Sequence, residues 1–243
     1  MFSARLEDCF SREGASVLRT VDAEWLDSLP VADPRAIQSR RDLRKVNSLM
    51  GHPRFLAREL RGTSGGLRVV ELGSGDGLVL LTVAKRLGKQ AAPVTAVLVD
   101  RQPSVTVETR AAFGAAGWGI EIVELDVFDW LKRADAEVSD VTIANLFLHH
   151  FRDRDLADLL QRVAEQTRRF IGLEPRRSPA AVIGASLLGL VGCNGVTLHD
   201  GRVSVRAGFR DRELSALWPR DPRWHLREGR RGPFTHMFVA DAA

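Results

Sequence analysis

The sequence predicts an α/β protein whose core is a doubly wound, mostly parallel sheet. Short apolar runs alternate with helical segments across the middle of the chain, as expected for a sheet covered by helices on both faces. The run at 94–99 is almost entirely apolar, which is typical of a parallel strand buried on both sides. Two later runs, at 224–228 and 234–240, predict an antiparallel hairpin. The predicted core strands lie at 67–72, 94–99, 120–125, 140–146 and 169–173.

The helices that join these strands are predicted from apolar residues at helical spacing. Residues 78–90 place their leucines and valines on one face, and Gly88 is suited to end that helix. The next helix is predicted to begin near Pro103. Asp153 is predicted to cap the helix after the fourth strand, whose apolar face includes Leu156 and Leu160.

The chain divides into an N-terminal helical cap with its linker, residues 1–66, and a core domain, residues 67–243. In the cap, Asp33 followed by Pro34 predicts the start of a helix that ends at Gly51. A second short helix is predicted over 55–60, before a glycine-rich linker.

Composition indicates an ordinary globular protein. The chain has 243 residues and a formal net charge of +4, but its arginines are scattered among acids, which favours a solvated surface over a nucleic-acid-binding face. The longest uncharged run, 178–198, is broken by glycines and a proline and does not predict a membrane span. Cys9 and Cys193 form no disulfide or metal pattern, which suits the cytoplasm and predicts no metal site. The absence of tyrosine excludes a phenolic base.

A glycine-rich turn directly after the first strand is the main candidate for a binding site. The strand ends in Glu71, and Gly73, Gly75 and Gly77 follow at every second position, with Ser74 between the first two. Glycines let the backbone approach a ligand and adopt positive φ, and the free N–H groups of the following helix favour a hydrogen-bond acceptor. The spacing is not that of a dinucleotide fingerprint, and the turn lacks the Lys-Ser/Thr pair of a phosphate-binding P-loop.

The pattern Glu-x-Gly-x-Gly-x-Gly after a strand resembles motif I of the class I S-adenosylmethionine-dependent methyltransferases. This resemblance implies a Rossmann-like sheet of seven strands, with the terminal hairpin as the last two, and S-adenosylmethionine as the cofactor. It covers residues 67–175 well and the hairpin loosely. It implies that Glu71, Gly73, Ser74, Gly75 and Gly77 contact the cofactor.

The same resemblance assigns cofactor contacts at the ends of the next two strands. Asp100 would bind the ribose hydroxyls, although it is also suited to cap the following helix. Arg101 would border the adenine ring. Asp126 would accept from the adenine amino group, and the Val127 N–H would donate to N1. Phe128 would either stack on that ring or pack inward.

The segment Asn-Leu-Phe-Leu-His-His-Phe at 145–151 resembles the quinone-biosynthesis-like branch of small-molecule methyltransferases. This resemblance places Asn145 near the sulfonium and the methyl acceptor. It implies O- or C-methylation of a hydrophobic, aromatic or quinone-like molecule, an activity that also occurs in secondary metabolism. A helix resembling the one at 40–47 closes over the active site as a lid in some of these enzymes, although a plain packing helix fits the sequence equally well.

A histidine just past the fourth strand is suited to act as general base for a hydroxyl acceptor. Adjacent residues on an extended segment point in opposite directions, which favours His149 facing the site and His150 packing inward. His199 beside Asp200 is a second candidate base, although a plain turn is the commoner role for such a pair.

The remainder of the substrate side is predicted to come from an insertion after the fifth strand, residues 176–222. Its predicted order is a helix over 178–191, a turn at 199–201, a strand-like run over 203–205 and a helix capped by Asp211 through Trp218. The predicted partner is a small-molecule acceptor, and a homodimer is compatible with the sequence. The alternative functions are an RNA methyltransferase, considered because of the positive charge, and a non-catalytic cofactor-binding module.

Overall fold

The computed structural model describes residues 18–30, 32–62, 66–90, 92–133 and 137–243. Its centre is a seven-stranded sheet in the order β3-β2-β1-β4-β5-β7-β6, in which β7 alone runs in the opposite direction to the other six strands. The strands are β1 (Leu67–Leu72), β2 (Val94–Asp100), β3 (Trp118–Glu124), β4 (Val141–Asn145), β5 (Arg169–Pro175), β6 (Trp224–Arg231) and β7 (Thr235–Ala242). The predicted fold class and terminal hairpin are confirmed.

Helices cover both faces of this sheet because its strands are apolar on both sides. Val69 and Val70 of β1 point to opposite faces and join two separate hydrophobic clusters. One cluster packs against α3, α4 and α5, and the other against α6, α7 and α10. The described helices are α1 (Trp25–Ser28), α2 (Pro34–Met50), α3 (His52–Glu59), α4 (Leu78–Leu87), α5 (Val107–Ala115), α6 (Val127–Leu131), α7 (Asp153–Glu165), α8 (Pro179–Ser186), α9 (Gly195–Ala207) and α10 (Glu213–Leu217).

The N-terminal helices form where the cap was predicted. Asp33 accepts a hydrogen bond from the Arg35 N–H at the start of α2, and Gly51 ends the helix with φ 76°. α3 follows immediately and packs beneath it. Residues 1–17 of the predicted cap and 63–65 of the predicted linker lie outside the described residues.

Buried polar contacts join α2 to the segment after β5. Asp42 accepts from the Asn194 N–H at 2.8 Å, and the Thr197 hydroxyl donates to Ser39 at 2.9 Å. Farther along α9, Asp200 accepts from the Trp25 and Leu26 N–H groups that begin α1. These contacts fix α1, α2 and α9 together above the carboxyl ends of the strands.

The predicted strand at 203–205 is wrong, as is the predicted turn at 199–201. Both segments belong to α9, which Asn194 caps by accepting from the Thr197 N–H. Val203 and Val205 are both buried although they lie on different sides of the helix. α9 is wedged between the cap helices and the sheet, so that burial on more than one side produced an alternation resembling that of a strand.

Three predicted helix starts need smaller corrections. Asp211 does not cap a helix, since it has φ 52° and α10 begins only at Glu213. Asp153 is the first residue of α7 instead of its cap. The helix after β2 begins at Val107, where Thr106 supplies the cap, and therefore not near Pro103. No helix in the described part of the chain is long and apolar enough to cross a bilayer.

Candidate active site

The three glycines after β1 all adopt positive φ, which explains why glycine is needed there. Their φ angles are 67°, 54° and 69° for Gly73, Gly75 and Gly77. A Cβ on Gly73 would lie 2.2 Å from the Phe147 ring, and one on Gly77 would lie 2.6 Å from Leu98. A Cβ on Gly75 would meet no atom within 4 Å. Gly73 and Gly77 therefore permit close packing, whereas Gly75 faces open space.

Asp100, at the end of β2, is tied directly to this turn. One carboxylate oxygen accepts from the Gly75 N–H at 2.8 Å, and the other accepts from the Gln102 N–H at 2.8 Å. Each oxygen retains a lone pair that can accept a further hydrogen bond. Asp126 occupies the equivalent place after β3, where it caps α6 by accepting from the Phe128 N–H at 2.8 Å.

Two buried polar groups at the turn have no protein partner among the described residues. These are one carboxylate oxygen of Glu71 and the hydroxyl of Ser74. Burial, together with the nearby charges of Asp76 and Asp100, raises the pKa of Glu71 to about 8. A ligand that brings an ammonium group to Glu71 would satisfy this carboxylate, and the amino-acid end of S-adenosylmethionine carries such a group.

A cavity of about 800 Å³ joins this turn to α2, α8, α9 and the end of β4. It brings together most of the site residues predicted from the sequence: Glu71, Gly73, Ser74, Gly75, Asp100, Arg101, Asp126, Val127, Asn145, His149 and His150. Three others do not line it. Gly77 packs on Leu98, Phe128 packs edge-on against Phe151 at 5.6 Å, and His199 stacks on Trp25 with its Nδ1 2.9 Å from Asp200.

Asn145 is held at the cavity wall by a buried polar network that the sequence did not reveal. Its side-chain oxygen accepts from Nδ1 of His52 at 2.7 Å, and its amide donates to Asn47 at 2.9 Å. Nε2 of His52 meets the Thr235 hydroxyl at 3.0 Å. Burial lowers the pKa of His52 to about 4, so that the ring is neutral. The network fixes Asn145 against the cap.

The two adjacent histidines do not point in opposite directions. Residues Leu148–His150 form a 3₁₀ turn instead of an extended segment, and the two imidazole rings stack with centroids 4.3 Å apart. Both rings line the cavity. The prediction that only one of them faces the site is therefore wrong, because it assumed the side-chain alternation of a strand.

Two glutamates from distant parts of the chain hold these rings. Nδ1 of His149 lies 2.7 Å from Glu174, and its Nε2 lies 3.2 Å from Glu24. Nδ1 of His150 lies 2.9 Å from the Phe147 carbonyl, and its Nε2 lies 3.4 Å from the other oxygen of Glu24. Burial opposes a charge on His149, but the hydrogen bonds to the two carboxylates outweigh it and raise its pKa to about 9. The same contacts hold the pKa of Glu24 well below its usual range, against the effect of burial.

Sequence reasoning missed both glutamates. Glu174 closes β5 in a Glu-Pro pair and was visible as a strand-end acid, where it also accepts from the Phe147 and Leu148 N–H groups. Glu24 carried no signal, since 125 residues separate it from His149. It reaches the cavity only because the chain before α1 lies against α9, where the Ser204 hydroxyl also donates to it.

The sheet order and the glycine turn with its two strand-end acids define the fold of the class I S-adenosylmethionine-dependent methyltransferases. The family model described as a methyltransferase domain matches residues 69–169. These residues form a methyltransferase domain, which confirms the class predicted from the sequence and S-adenosylmethionine as the cofactor of that domain. No curated protein matches the chain.

Solved structures of several methyltransferases share this fold. The mitomycin 7-O-methyltransferase MmcR matches with a TM-score of 0.59 and 20% identity, over 90% of this chain and 60% of its own. An O-methyltransferase family protein from Burkholderia thailandensis matches with a TM-score of 0.59 and 18% identity, over 88% of this chain and 61% of its own. The plantazolicin methyltransferase BpumL, in complex with SAH, matches with a TM-score of 0.59 and 12% identity, over 87% of this chain and 92% of its own. The chain thus spans about three fifths of the length of MmcR.

Proposed function

We propose that the protein transfers a methyl group from S-adenosylmethionine to a hydrophobic small molecule, at an oxygen or a carbon. The observation that carries this proposal is one continuous cavity, which connects the glycine turn to an apolar chamber beneath α2 and α8. The fold supports the cofactor, and the chamber supports the class of acceptor. MmcR is named as an O-methyltransferase, which agrees with an oxygen acceptor.

The cofactor is proposed to lie across the carboxyl ends of β1, β2 and β3, as in other open α/β sheets. Asp100 would hold the ribose hydroxyls while it keeps its hydrogen bond to the Gly75 N–H. Asp126 and Val127 would bind the adenine edge. Glu71 would accept from the ammonium group of the methionine part. Bound there, S-adenosylmethionine supplies an electrophilic methyl group, and the protein mainly aligns the acceptor with it.

The acceptor is proposed to lie in the chamber between α2 and the segment after β5. Its walls are mainly aliphatic and aromatic: Leu43, Val46, Met50, Phe147, Leu187, Leu188, Val191 and Phe234. Phe55 and Leu56 of α3 do not line this cavity and pack instead into the core beside α4. Because α2 lies over the chamber, we further propose that it acts as the lid. A mainly apolar chamber of this kind favours a small molecule over RNA.

The polar end of the chamber is proposed to receive the acceptor hydroxyl. There the acceptor oxygen forms a bond to the methyl carbon, while the carbon–sulfur bond breaks and leaves its electron pair on S-adenosylhomocysteine. Asn145 and the two histidines face this region. The role of His149 as general base stays a prediction. Contacts of both ring nitrogens with carboxylates raise its pKa to about 9, so the ring carries a proton on each nitrogen near neutral pH. Nε2 therefore has to give up its own proton and its contact with Glu24 before it can act as a base.

Two measurements test this proposal. Calorimetry with S-adenosylhomocysteine should show binding to the wild type and much weaker binding to Asp100→Ala. Incubation with S-adenosylmethionine carrying a labelled methyl group should then transfer the label to phenols or quinols. If the label instead enters RNA, the acceptor class is wrong. If the cofactor binds but no acceptor is labelled, the chain is a binding module.

Two substitutions on α2 test the proposed acceptor chamber as a matched pair. Val46→Asp places a charge on the chamber wall and should raise KM for the acceptor at least tenfold, while binding of S-adenosylhomocysteine is unchanged. Ile37→Asp introduces the same charge on an exposed position of α2 that does not line the cavity, and it should change neither quantity.

A further inference from the structure

The side chains of Glu24, His149 and His150 form a compact group at the polar end of the cavity. One ligand atom from each lies within 4.8 Å of the other two. The sequence predicted no metal site, because two adjacent histidines and a glutamate 125 residues away have no recognisable ligand spacing.

Each imidazole has its Nδ1 directed at an acceptor outside the group. His149 faces the Glu174 carboxylate at 2.7 Å, and His150 faces the Phe147 carbonyl at 2.9 Å. A histidine that binds a metal through Nε2 is normally held in this way, with its Nδ1–H donated to a carboxylate or a backbone carbonyl. Both Nε2 atoms are thereby directed at the same place, where Glu24 lies.

The spacing of these atoms fits a small cation. Tetrahedral coordination with metal–ligand bonds near 2.1 Å places neighbouring ligand atoms about 3.4 Å apart. The two oxygens of Glu24 lie 3.2 and 3.4 Å from Nε2 of His149 and His150. One nitrogen of each histidine and one oxygen of Glu24 lie within 4.8 Å of one another, so a small approach of the three side chains closes the group around one ion.

We propose that Glu24, His149 and His150 bind one divalent transition-metal ion of the zinc type. Two imidazoles and a carboxylate are a ligand set that such ions accept, and three protein ligands leave a coordination position open. That position faces the cavity, and Asp27 lies beside it, 3.9 Å from Nε2 of His150. With the ion in place, His149 is a ligand and not a base.

The ion would have a role only if the proposed methyl transfer takes place, whereas its binding does not depend on that function. The acceptor oxygen would occupy the open coordination position of the ion, and the charge of the ion would make the acceptor hydroxyl more acidic. The hydroxyl proton then leaves to water, and the oxygen lone pair forms the new bond to the methyl carbon.

Metal binding is tested on the full chain after treatment with a chelator. Titration with ZnCl₂ should show one ion per chain by calorimetry. Titration with CoCl₂ should give visible absorption bands of a protein-bound ion, which report the ligand set directly. Methyl transfer, measured in parallel, should fall on chelation and return with Zn²⁺.

The variants separate a built site from adventitious binding. Glu24→Gln keeps the shape of the side chain and should weaken Zn²⁺ binding by more than about 100-fold, since removal of even an outer-shell partner costs 10- to 100-fold. His150→Ala should do the same. His199→Ala removes a nearby histidine outside the group and should bind like the wild type. Thermal melting confirms that each variant is folded.

The outcomes also separate this inference from the proposed function. If Zn²⁺ does not bind the wild type, or binds Glu24→Gln and His150→Ala equally well, the metal site is wrong even where methyl transfer is found. If Zn²⁺ binds as expected but no acceptor is methylated, the proposed function fails and the metal site stands.

Discussion

Replacement of Gly75 by alanine tests the proposed cofactor position with the smallest available change. Gly75 has φ 54°, and a Cβ there would meet no protein atom within 4 Å, yet the residue lines the cavity beside Asp100. The new methyl group therefore costs the protein only its unfavourable backbone conformation, about 1–2 kcal/mol. For a chain of this size that corresponds to a decrease in melting temperature of roughly 2–8 °C.

Gly75→Ala should weaken cofactor binding far more than it lowers the stability of the fold. The added carbon would occupy space that the proposed site assigns to S-adenosylmethionine, and it would disturb the N–H that Asp100 holds at 2.8 Å. We expect the dissociation constant for S-adenosylhomocysteine to rise at least tenfold, which is about 1.4 kcal/mol of binding free energy. Calorimetry measures this constant, and differential scanning fluorimetry measures the melting temperature.

Gly232 provides the matched control. It has φ 67°, and a Cβ there also meets nothing within 4 Å, but it lies in the hairpin between β6 and β7 and does not line the cavity. Gly232→Ala should lower the melting temperature to a similar extent and leave cofactor binding unchanged. Unchanged binding by Gly75→Ala, or equal loss of binding in both variants, would refute the assignment of the turn to the cofactor.

Three further results are expected. Glu71→Gln should weaken S-adenosylhomocysteine binding. Because the pKa of Glu71 is about 8 without ligand, the affinity of the wild type should rise between about pH 6 and 7.5, as a growing fraction of this carboxyl is ionised. A calorimetric series without such a rise would mean that Glu71 does not meet the ammonium group. Burial holds the pKa of His52 near 4 in the folded protein, against 6.5 in the unfolded chain. The contribution of His52 to the free energy of unfolding is therefore complete above pH 6.5 and declines toward pH 4, by up to about 3 kcal/mol. Urea unfolding of the wild type should show this decline, and His52→Gln should show less of it. His149→Ala should lower turnover by about 10²–10⁴-fold if His149 is the base, whereas normal turnover would remove it from the mechanism.

The part of the site that is proposed to hold the cofactor has a geometry that the sequence predicts, because that geometry is local. A turn that requires positive φ at three positions leaves glycine as the residue with the lowest conformational cost, and this requirement is visible in the residues themselves. Asp100 and Asp126 follow from topology, since the carboxyl ends of parallel strands meet at one edge of the sheet. Composition and alternation were therefore sufficient to predict the fold.

The part that is proposed to face the acceptor depends on contacts between distant parts of the chain. Alternation at 203–205 predicted a strand, but this segment belongs to α9, and the alternation arises because the cap and the sheet bury the helix on more than one side. The directions of His149 and His150 depend on a 3₁₀ turn, which Glu174 stabilises by accepting hydrogen bonds from the Phe147 and Leu148 N–H groups. Glu24 reaches both rings only through the docking of the N-terminal segment on α9, for which the sequence has no local pattern. The residues proposed to bind the cofactor therefore lie in short segments with local patterns, whereas those proposed to surround the acceptor come together only when the chain folds.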